Sequence, residues 1–201
     1  MEKPVSDVAF TAAVKAQQTQ RGSRAQYARM EQTKGWSNTI SPELAGFIAN
    51  VRSFYLATAN AAGQPYIQHR GGPAGFLKVL DDQTLGFADL AGNRQYITAG
   101  NLSENSRAFI FLMDYARRLR IKIWGEARIV EDDDALLARL RPPAGGLVAE
   151  RSIVFKVEAW DRNCPQHIPQ LFSIEDVETA VTPLRQRIVE LEQELAELRQ
   201  R

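Results

Sequence analysis

The sequence predicts a mainly β protein with flanking helices, whose core is a six-stranded antiparallel barrel that is closed or nearly closed. Residues 52–162 carry short aromatic and β-rich runs separated by tight turns. Residues 1–51 instead read as an amphipathic helical extension, and residues 163–201 as a Pro-bounded segment followed by an amphipathic helix. We therefore predict three regions with these boundaries, the first packing on the barrel.

Two helix starts are expected in the first region. Ser6-Asp7 can cap a helix that contains Val8, Phe10, Ala13 and Val14, because side-chain oxygens accept the free N–H groups of a first turn. Ser41 before Pro42 is a second N-cap, since proline is tolerated where no N–H is needed. That helix should run to about Val51. The polar segment 21–38 has no assigned structure.

The middle region supplies the strands. The candidates are Phe54–Thr58, Pro65–His69, Phe76–Leu80, Thr84–Ala88, Ala108–Met113, Leu119–Val130 and Ile153–Trp160. Six or so strands at this spacing favour an antiparallel barrel. Two helices are predicted between them, over Asn93–Asn105 and Asp133–Arg141, the second ending at a Pro-Pro pair.

The final helix has a strict 3.5-residue apolar period. Its members are Val177, Val181, Leu184, Ile188, Leu191, Leu195 and Leu198. A stripe this narrow is typical of a helix that pairs with another helix. The alternative is that it packs on its own barrel. The segment before it, which contains Cys164, Pro165 and His167, should be extended.

Composition excludes several functional classes. The apolar share is 44%, the charged share is 24% and the formal net charge is +1. No charge excess points to nucleic acid, and no apolar run is long enough to span a membrane. One cysteine and two histidines argue against a disulfide framework and a zinc site. We therefore expect a cytoplasmic protein with no metal.

A few cations could form a phosphate site. Arg70 follows a strand and precedes Gly71-Gly72, Lys78 lies in the next strand, and Gly92-Asn93-Arg94-Gln95 opens a predicted helix. A helix start that carries Arg supplies both positive charge and unsatisfied N–H donors. The alternative is that these cations are solvated at strand ends.

The order of these segments resembles the FMN-binding split barrels related to pyridoxamine phosphate oxidase. The resemblance spans residues 68–130 and rests on Arg70 with Phe76-Leu77-Lys78, Gly86–Asp89, Asn93-Arg94-Gln95, Leu102–Ala108 and Arg120–Ala127. It implies a six-stranded split β-barrel and a homodimer with FMN at the subunit interface. The cofactor-binding residues it implies are His69, Arg70, Gly71, Lys78, Ala88, Asp89, Asn93, Arg94, Gln95 and Arg120, the last facing the flavin ring.

Two departures from that family matter. Gln95 stands where the family often has Lys, which removes one phosphate cation. The tail also lacks the Arg-x-His pattern of true pyridoxamine phosphate oxidases, so we predict that this protein is not the vitamin B6 oxidase. Cys164 and His167 are the catalytic candidates, with His167 as a proton donor. The alternative is a partly buried thiol and a loop histidine.

Three functions remain open on the sequence alone. The first is an FMN-dependent oxidoreductase that passes hydride between a reduced nicotinamide or deazaflavin donor and a small organic substrate. The second is a non-catalytic module that binds flavin or another ligand. The third is a barrel without cofactor that acts through its coiled-coil tail.

Overall fold

A curved antiparallel sheet of seven strands forms the centre of the protein. The computed structural model describes residues 3–142, 148–162 and 165–200. The strands are β1 (Ser53–Ala59), β2 (Pro65–Gly71), β3 (Lys78–Asp81), β4 (Thr84–Leu90), β5 (Arg107–Asp114), β6 (Leu119–Val130) and β7 (Ala149–Arg162). The helices are α1 (Ala12–Gln20), α2 (Arg24–Thr33), α3 (Pro42–Ile48), α4 (Ile97–Glu104), α5 (Asp134–Leu140) and α6 (Ile174–Arg199). The expected mainly β fold with flanking helices is confirmed.

The sheet is unclosed and has seven strands, which corrects the expectation of six strands in a closed or nearly closed barrel. Its strand order is β2-β1-β5-β6-β7-β4-β3, with β2 and β3 at the edges. The segment between these two strands turns at Pro73, where the Phe76 N–H donates to the Pro73 carbonyl at 3.0 Å. As a result β3 begins at Lys78, two residues later than expected, and its described pairing is with β4. The curvature nevertheless brings Phe54 of β1 to 5.1 Å from Phe87 of β4, measured between ring centres.

The concave face of the sheet holds the main apolar core. Fully buried side chains from four different strands meet there, among them Phe54, Phe87, Ile110 and Phe155. Alternation explains the pattern, since residues at every second position of a strand share a face. β1 is the clearest case: Phe54, Leu56 and Thr58 are buried, whereas Tyr55 is exposed. Between the Trp124–Ala159 and Gly125–Val157 pairs the register passes over Glu158, which marks a bulge in β7 opposite β6.

The N-terminal region differs from the first expected helix. Ser6 lies in a 3-10 helix, Val5–Val8, and is buried, while Asp7 pairs with Lys15 at 2.5 Å. Thr11 caps α1 instead, its hydroxyl accepting the Val14 N–H at 3.3 Å. The cap predicted at Ser41 is present, because Ser41 accepts the Leu44 N–H at 3.2 Å. The unassigned segment 21–38 contains α2.

The part of this region that contains Phe10 and Trp36 packs against the convex face of the sheet, whereas Ile40, Leu44 and Ile48 belong to the main core. Trp36 stacks on Trp124 of β6 with 4.6 Å between ring centres, and Phe10 lies 5.0 Å from Trp36. The Trp160 indole N–H donates to the Thr39 carbonyl at 2.9 Å. Aromatic contact and one directed hydrogen bond therefore fix the region on the sheet.

Helix α4 starts four residues later than expected. The Asn93 side chain accepts the Gln95 N–H at 3.2 Å, which forms a local turn. Arg94 and Tyr96 have φ angles of 59° and 53°, so the backbone is left-handed at both residues. Such residues cannot continue a right-handed helix, which therefore begins at Ile97. Helix α5 lies within its predicted range.

The tip between β5 and β6 and the C-terminal chain form a second compact unit. It contains Tyr115–Leu119 and the residues from Pro165 onward. Within it, the Arg118 guanidinium donates to the Ile168 carbonyl at 3.0 Å and the Gln170 amide donates to the Ala116 carbonyl at 2.8 Å.

Residues 165–168, ahead of α6, form a turn. The Ile168 N–H donates to the Pro165 carbonyl at 3.2 Å, and His167 has a φ of 64°. Proline at 165 favours such a turn, which corrects the expectation of an extended segment. Helix α6 follows, with Ser173 and Asp176 forming a reciprocal capping box. In the described part of the chain no helix has the length and apolarity to cross a bilayer.

Candidate cofactor site

Strands β2 and β4 bring a buried ion pair to one side of the curved sheet. Arg70 pairs with Phe54 in the β1–β2 register, so its side chain lies on the concave face. There its guanidinium donates to the Asp89 carboxylate and lies 5.9 Å from the centre of the Phe87 ring. The Arg70 and Asp89 side chains are 11% and 13% exposed, so the pair is poorly screened by water.

A second arginine reaches the same carboxylate. Arg151 is the register partner of Asp89 across β4 and β7, and its Nε lies 3.2 Å from an Asp89 oxygen. Burial lowers the pKa of Arg151, but Glu150, Asp89 and Glu131 outweigh that effect and raise it. Arg151 therefore stays a cation and shares one carboxylate with Arg70.

Arg70 keeps one donor without a partner. Its Nε atom is buried and has no hydrogen-bond acceptor among the described residues. A buried donor left unsatisfied costs free energy, about 1 to 3 kcal/mol. Asp89 thus holds the Arg70 guanidinium in place, while the Nε–H of Arg70 can still donate to an anionic oxygen.

The loop before α4 adds a second cation. Arg94 is exposed, and its Nε donates to the Tyr96 hydroxyl at 3.2 Å. That hydrogen bond raises the pKa of Arg94. The Tyr96 ring also lies 5.0 Å from the Arg151 guanidinium, which links the loop to the ion cluster.

The start of α4 is uncapped and faces this cluster. Tyr96 at the N-cap position makes no side-chain hydrogen bond to the first turn among the described residues. The first-turn residues Ile97, Thr98 and Ala99 line a cavity together with Arg70 and Arg94. Because first-turn N–H groups lack intrahelical acceptors, this arrangement suits a phosphate-sized anion.

Two neighbouring cavities run along this edge. The first has a volume of about 50 Å³ and the second of about 200 Å³, and both are lined by Gln68, Arg70, Leu90 and Gly92. Pockets that enclose cofactor-sized ligands have volumes of about 300–1,000 Å³. One chain by itself therefore lines an anion site and part of a larger ligand site.

The structure brings eight of the ten predicted cofactor residues to these cavities. Asp89, Asn93, Arg94 and Gln95 line the first, His69, Gly71 and Ala88 line the second, and Arg70 lines both. The His69 ring packs edge-on against Tyr55 at 5.6 Å between ring centres. Strand alternation thus directs it to the face opposite Arg70.

Lys78 and Arg120 lie elsewhere. Lys78 is the register partner of Gly86 in the β3–β4 pair. A Cβ on Gly86 would point at Leu80 and at Leu140 of α5. Register partners lie on the same face of a sheet, so Lys78 is on the side of α5. Arg120 belongs to β6 and has a buried Nε without an acceptor among the described residues. Neither residue lines the two cavities, although both belong to the described part of the chain.

Lys122 occupies an aromatic site on the convex face. Its ammonium lies 5.2 Å and 5.6 Å from the ring centres of Trp124 and Trp36, and 3.1 Å from an Asp161 oxygen. These contacts are worth about 0.5–2 kcal/mol when partly desolvated. Lys122 therefore stabilises the contact between the N-terminal region and the sheet.

The catalytic candidates are placed only in part. Cys164 lies outside the described residues. His167 is exposed at its turn in the second unit. A proton-donor role for either residue stays a prediction. In the described chain no group of three or more His, Cys, Asp or Glu side chains is arranged for a metal ion.

Sequence reasoning missed Gln68, Tyr96, Thr98 and Arg151. The Thr98 hydroxyl donates to the Gln68 side chain at 2.7 Å and ties α4 to β2. Arg151 lies far from Asp89 along the chain, and only the β4–β7 register brings the two together. No local motif indicates that pairing, whereas the spacing of Gln68 and Arg70 on one strand face could have identified Gln68.

Comparison with known proteins adds the family. A family model described as pyridoxamine 5'-phosphate oxidase matches residues 40–162, more than half of the chain. The chain belongs to the pyridoxamine 5'-phosphate oxidase family. The resemblance inferred from the residues is confirmed, and the match covers all seven strands. No curated protein sequence matches the chain.

Solved structures of similar fold extend the comparison. HupZ from Group A Streptococcus is 22% identical with a TM-score of 0.51, covering 66% of this chain and 99% of that one. A putative pyridoxamine 5'-phosphate oxidase from Lactobacillus delbrueckii is 20% identical with a TM-score of 0.48, covering 62% and 95%. An FMN-binding protein from Syntrophomonas wolfei is 15% identical with a TM-score of 0.48, covering 73% and 97%. At such identities the similarity shows the fold alone.

Proposed function

We propose that this member of the pyridoxamine 5'-phosphate oxidase family binds FMN. The observation that carries the proposal is the convergence of Arg70, Arg94 and the uncapped start of α4 on one cavity. Together they supply the positive charge and the N–H donors that bind a phosphate ester. The buried Arg70 Nε, which has no acceptor among the described residues, fits an anionic oxygen at this position.

Each residue would have a separate task. Arg70, fixed by Asp89, would donate to the phosphate from a desolvated position, and Arg94 would add charge from the exposed side. The second cavity, along Gly71 and Ala88, would receive the ribityl chain, since small residues permit close backbone approach. When bound, FMN would supply hydride-transfer chemistry.

A second copy of the chain would complete the site. The two cavities of one chain are smaller than a cofactor-sized pocket, as described above. In a homodimer with FMN at its interface, the second copy would supply the remaining volume of the cofactor pocket. Arg120, whose Nε has no acceptor among the described residues, would then face a flavin bound mainly by the other copy. Its positive charge would stabilise the reduced ring.

We further propose that the bound flavin passes hydride between a reduced nicotinamide or deazaflavin donor and a small organic acceptor. The test is anaerobic reduction by each donor, followed by reoxidation that depends on an added acceptor. Flavin bands that no donor bleaches would favour the alternative, a non-catalytic flavin- or ligand-binding module.

FMN binding itself is tested by Arg94→Ala. The purified protein should be yellow and release FMN on denaturation, identified by mass. Loss of a charged hydrogen bond costs about 1.5 to 3 kcal/mol, so the dissociation constant should rise roughly 10- to 100-fold. Arg29→Ala removes an equally exposed arginine from α2 and is the matched control. Equal FMN affinity of the two variants would place Arg94 outside the site.

A further inference from the structure

The apolar seam of α6 is exposed to solvent. We define the seam as Val177, Val181, Leu184, Ile188, Leu191, Leu195 and Leu198. Helix α6 has no buried residue, and six of the seven seam side chains are between 42% and 65% exposed. A continuous apolar stripe on an exposed helix is typical of an association surface.

The seam has the residue types of a two-stranded coiled coil. Val181, Ile188 and Leu195 occupy the a positions of the heptad, and Val177, Leu184, Leu191 and Leu198 occupy the d positions. β-Branched residues at a with leucine at d favour a parallel dimer. The 26 residues of α6 extend about 39 Å and carry three and a half heptads, which is enough for pairing.

The charges beside the seam are complementary between two copies. Arg187 and Glu194 occupy g positions, and Glu192 and Arg199 occupy e positions. In a parallel pair without stagger, each g residue contacts the e residue of the next heptad in the other helix. Arg187 would then meet the partner's Glu192, and Glu194 would meet the partner's Arg199. Both contacts join opposite charges, so the charges of α6 favour pairing with α6 of a second copy.

Pro183 is compatible with such pairing. It is the proline inside α6 and occupies a c position, on the side away from the seam. Its ring therefore does not enter the helix–helix contact.

We propose that α6 pairs with α6 of a second copy of this chain as a parallel, in-register, two-stranded coiled coil. The partner is the same helix, because an identical sequence in this orientation presents opposite charges at two of the three g–e contacts, Arg187–Glu192 and Glu194–Arg199. This interface uses none of the residues proposed to bind FMN, and the proposal does not depend on flavin binding. It gives the chain a second means of self-association.

Disulfide capture tests the seam directly. In a Cys164→Ser background, Leu184→Cys places a thiol at a d position, and Gln186→Cys places one at the f position of the same heptad, on the opposite face. Each variant is equilibrated at micromolar concentration in a glutathione redox buffer and run on a non-reducing gel. Leu184→Cys should be mostly cross-linked and Gln186→Cys mostly monomeric. An antiparallel pair with the seam fully overlapped would place Leu184 opposite Leu191, so the two Leu184 positions would lie about 10 Å apart along the axis. No excess of dimer for Leu184→Cys would overturn the proposal.

A charge swap tests orientation and register. Added to Leu184→Cys, Arg187→Glu removes the pairing of Arg187 with Glu190 and Glu194 within the helix and creates two like-charge contacts between copies. It should lower the ratio of cross-linked to free chain by about tenfold. Adding Glu192→Arg should restore the ratio of cross-linked to free chain, because the glutamate introduced at position 187 of one copy would then meet the arginine introduced at position 192 of the other. Residues five apart are not neighbours within one helix, so restoration cannot arise inside the chain. Failure of the double variant to recover would refute the parallel register. Neither readout involves flavin, so failure of FMN binding remains distinguishable.

Discussion

Gly125 occupies the tightest position in the sheet, and its replacement gives the sharpest test of the fold. Opposite the bulge in β7, a Cβ on residue 125 would lie 2.0 Å from the Lys156 carbonyl oxygen and 2.7 Å from the Phe155 ring. Ordinary contact begins near 3.4 Å. In Gly125→Ala the two backbones must therefore separate by more than 1 Å, in a region where β6 and β7 are hydrogen-bonded.

The expected loss of stability is at the upper end of the overpacking range, about 3 kcal/mol. For a chain of this size that corresponds to a fall in Tm of roughly 6–12 °C. With a urea m-value of about 2 kcal/mol/M, the unfolding midpoint should fall by about 1.5 M. Circular dichroism measures the unfolding midpoint in a urea titration and Tm in a thermal melt.

Gly46→Ala is the matched control. Gly46 lies inside α3, and a Cβ there meets no atom within 4 Å. Alanine should stabilise the helix by about 0.5–1 kcal/mol, because glycine has the lower helix propensity. The reasoning is refuted if the free energy of unfolding of Gly125→Ala lies within about 0.5 kcal/mol of that of the unmodified protein. The close contacts of a Cβ at this position would then cost no stability.

Three further outcomes are expected. Asp89→Asn removes the carboxylate shared by Arg70 and Arg151. Arg151 keeps Glu131 and Glu150, but Arg70 is left as a poorly screened cation. Without flavin the free energy of unfolding should fall by about 3 kcal/mol in a urea titration, and an unchanged value would mean that the Arg70–Asp89 pair is solvated. The Gln83 N–H lowers the pKa of Asp81, so the ionised carboxylate stabilises the fold above its unfolded pKa of about 3.9 and that stability is lost as pH falls through the lower folded value. The stability difference between the unmodified protein and Asp81→Asn should therefore shrink between pH 6 and pH 3, and a constant difference would contradict the assignment. Finally, incubation with pyridoxamine phosphate should give no robust formation of pyridoxal phosphate, because the tail lacks the Arg-x-His pattern; efficient turnover would overturn this prediction.

The sequence located the elements better than it located their ends. Strand periodicity and turn residues identified all seven strands, because alternation and tight turns are local properties. The Ser41-Pro42 helix start was correct for the same reason. The starts of α1 and α4 were wrong, since Thr11 takes the cap expected of Ser6, and left-handed Arg94 and Tyr96 delay α4. Where a helix starts depends on tertiary packing, as at Ser6, which is buried and does not cap α1.

The candidate site divides in the same way. Arg70 and Arg94 could be selected from the sequence, because a cation after a strand and a cation before a helix are visible in the chain. The role of Asp89 could not be anticipated in physical terms. It is the shared counter-ion of Arg70 and Arg151, and those contacts exist only after β2, β4 and β7 come together.

By itself, the sequence determined the class of the fold, the strands, the heptad seam of α6 and the family, since each depends on the spacing of residues along the chain. Only the tertiary structure decided that the sheet stays open, that Lys78 lies on the side of α5, and that Arg70 and Arg94 share a cavity with an uncapped helix start. The physical reason is that strand pairing is non-local. The register between distant strands sets which side chains meet, and no short stretch of sequence encodes it.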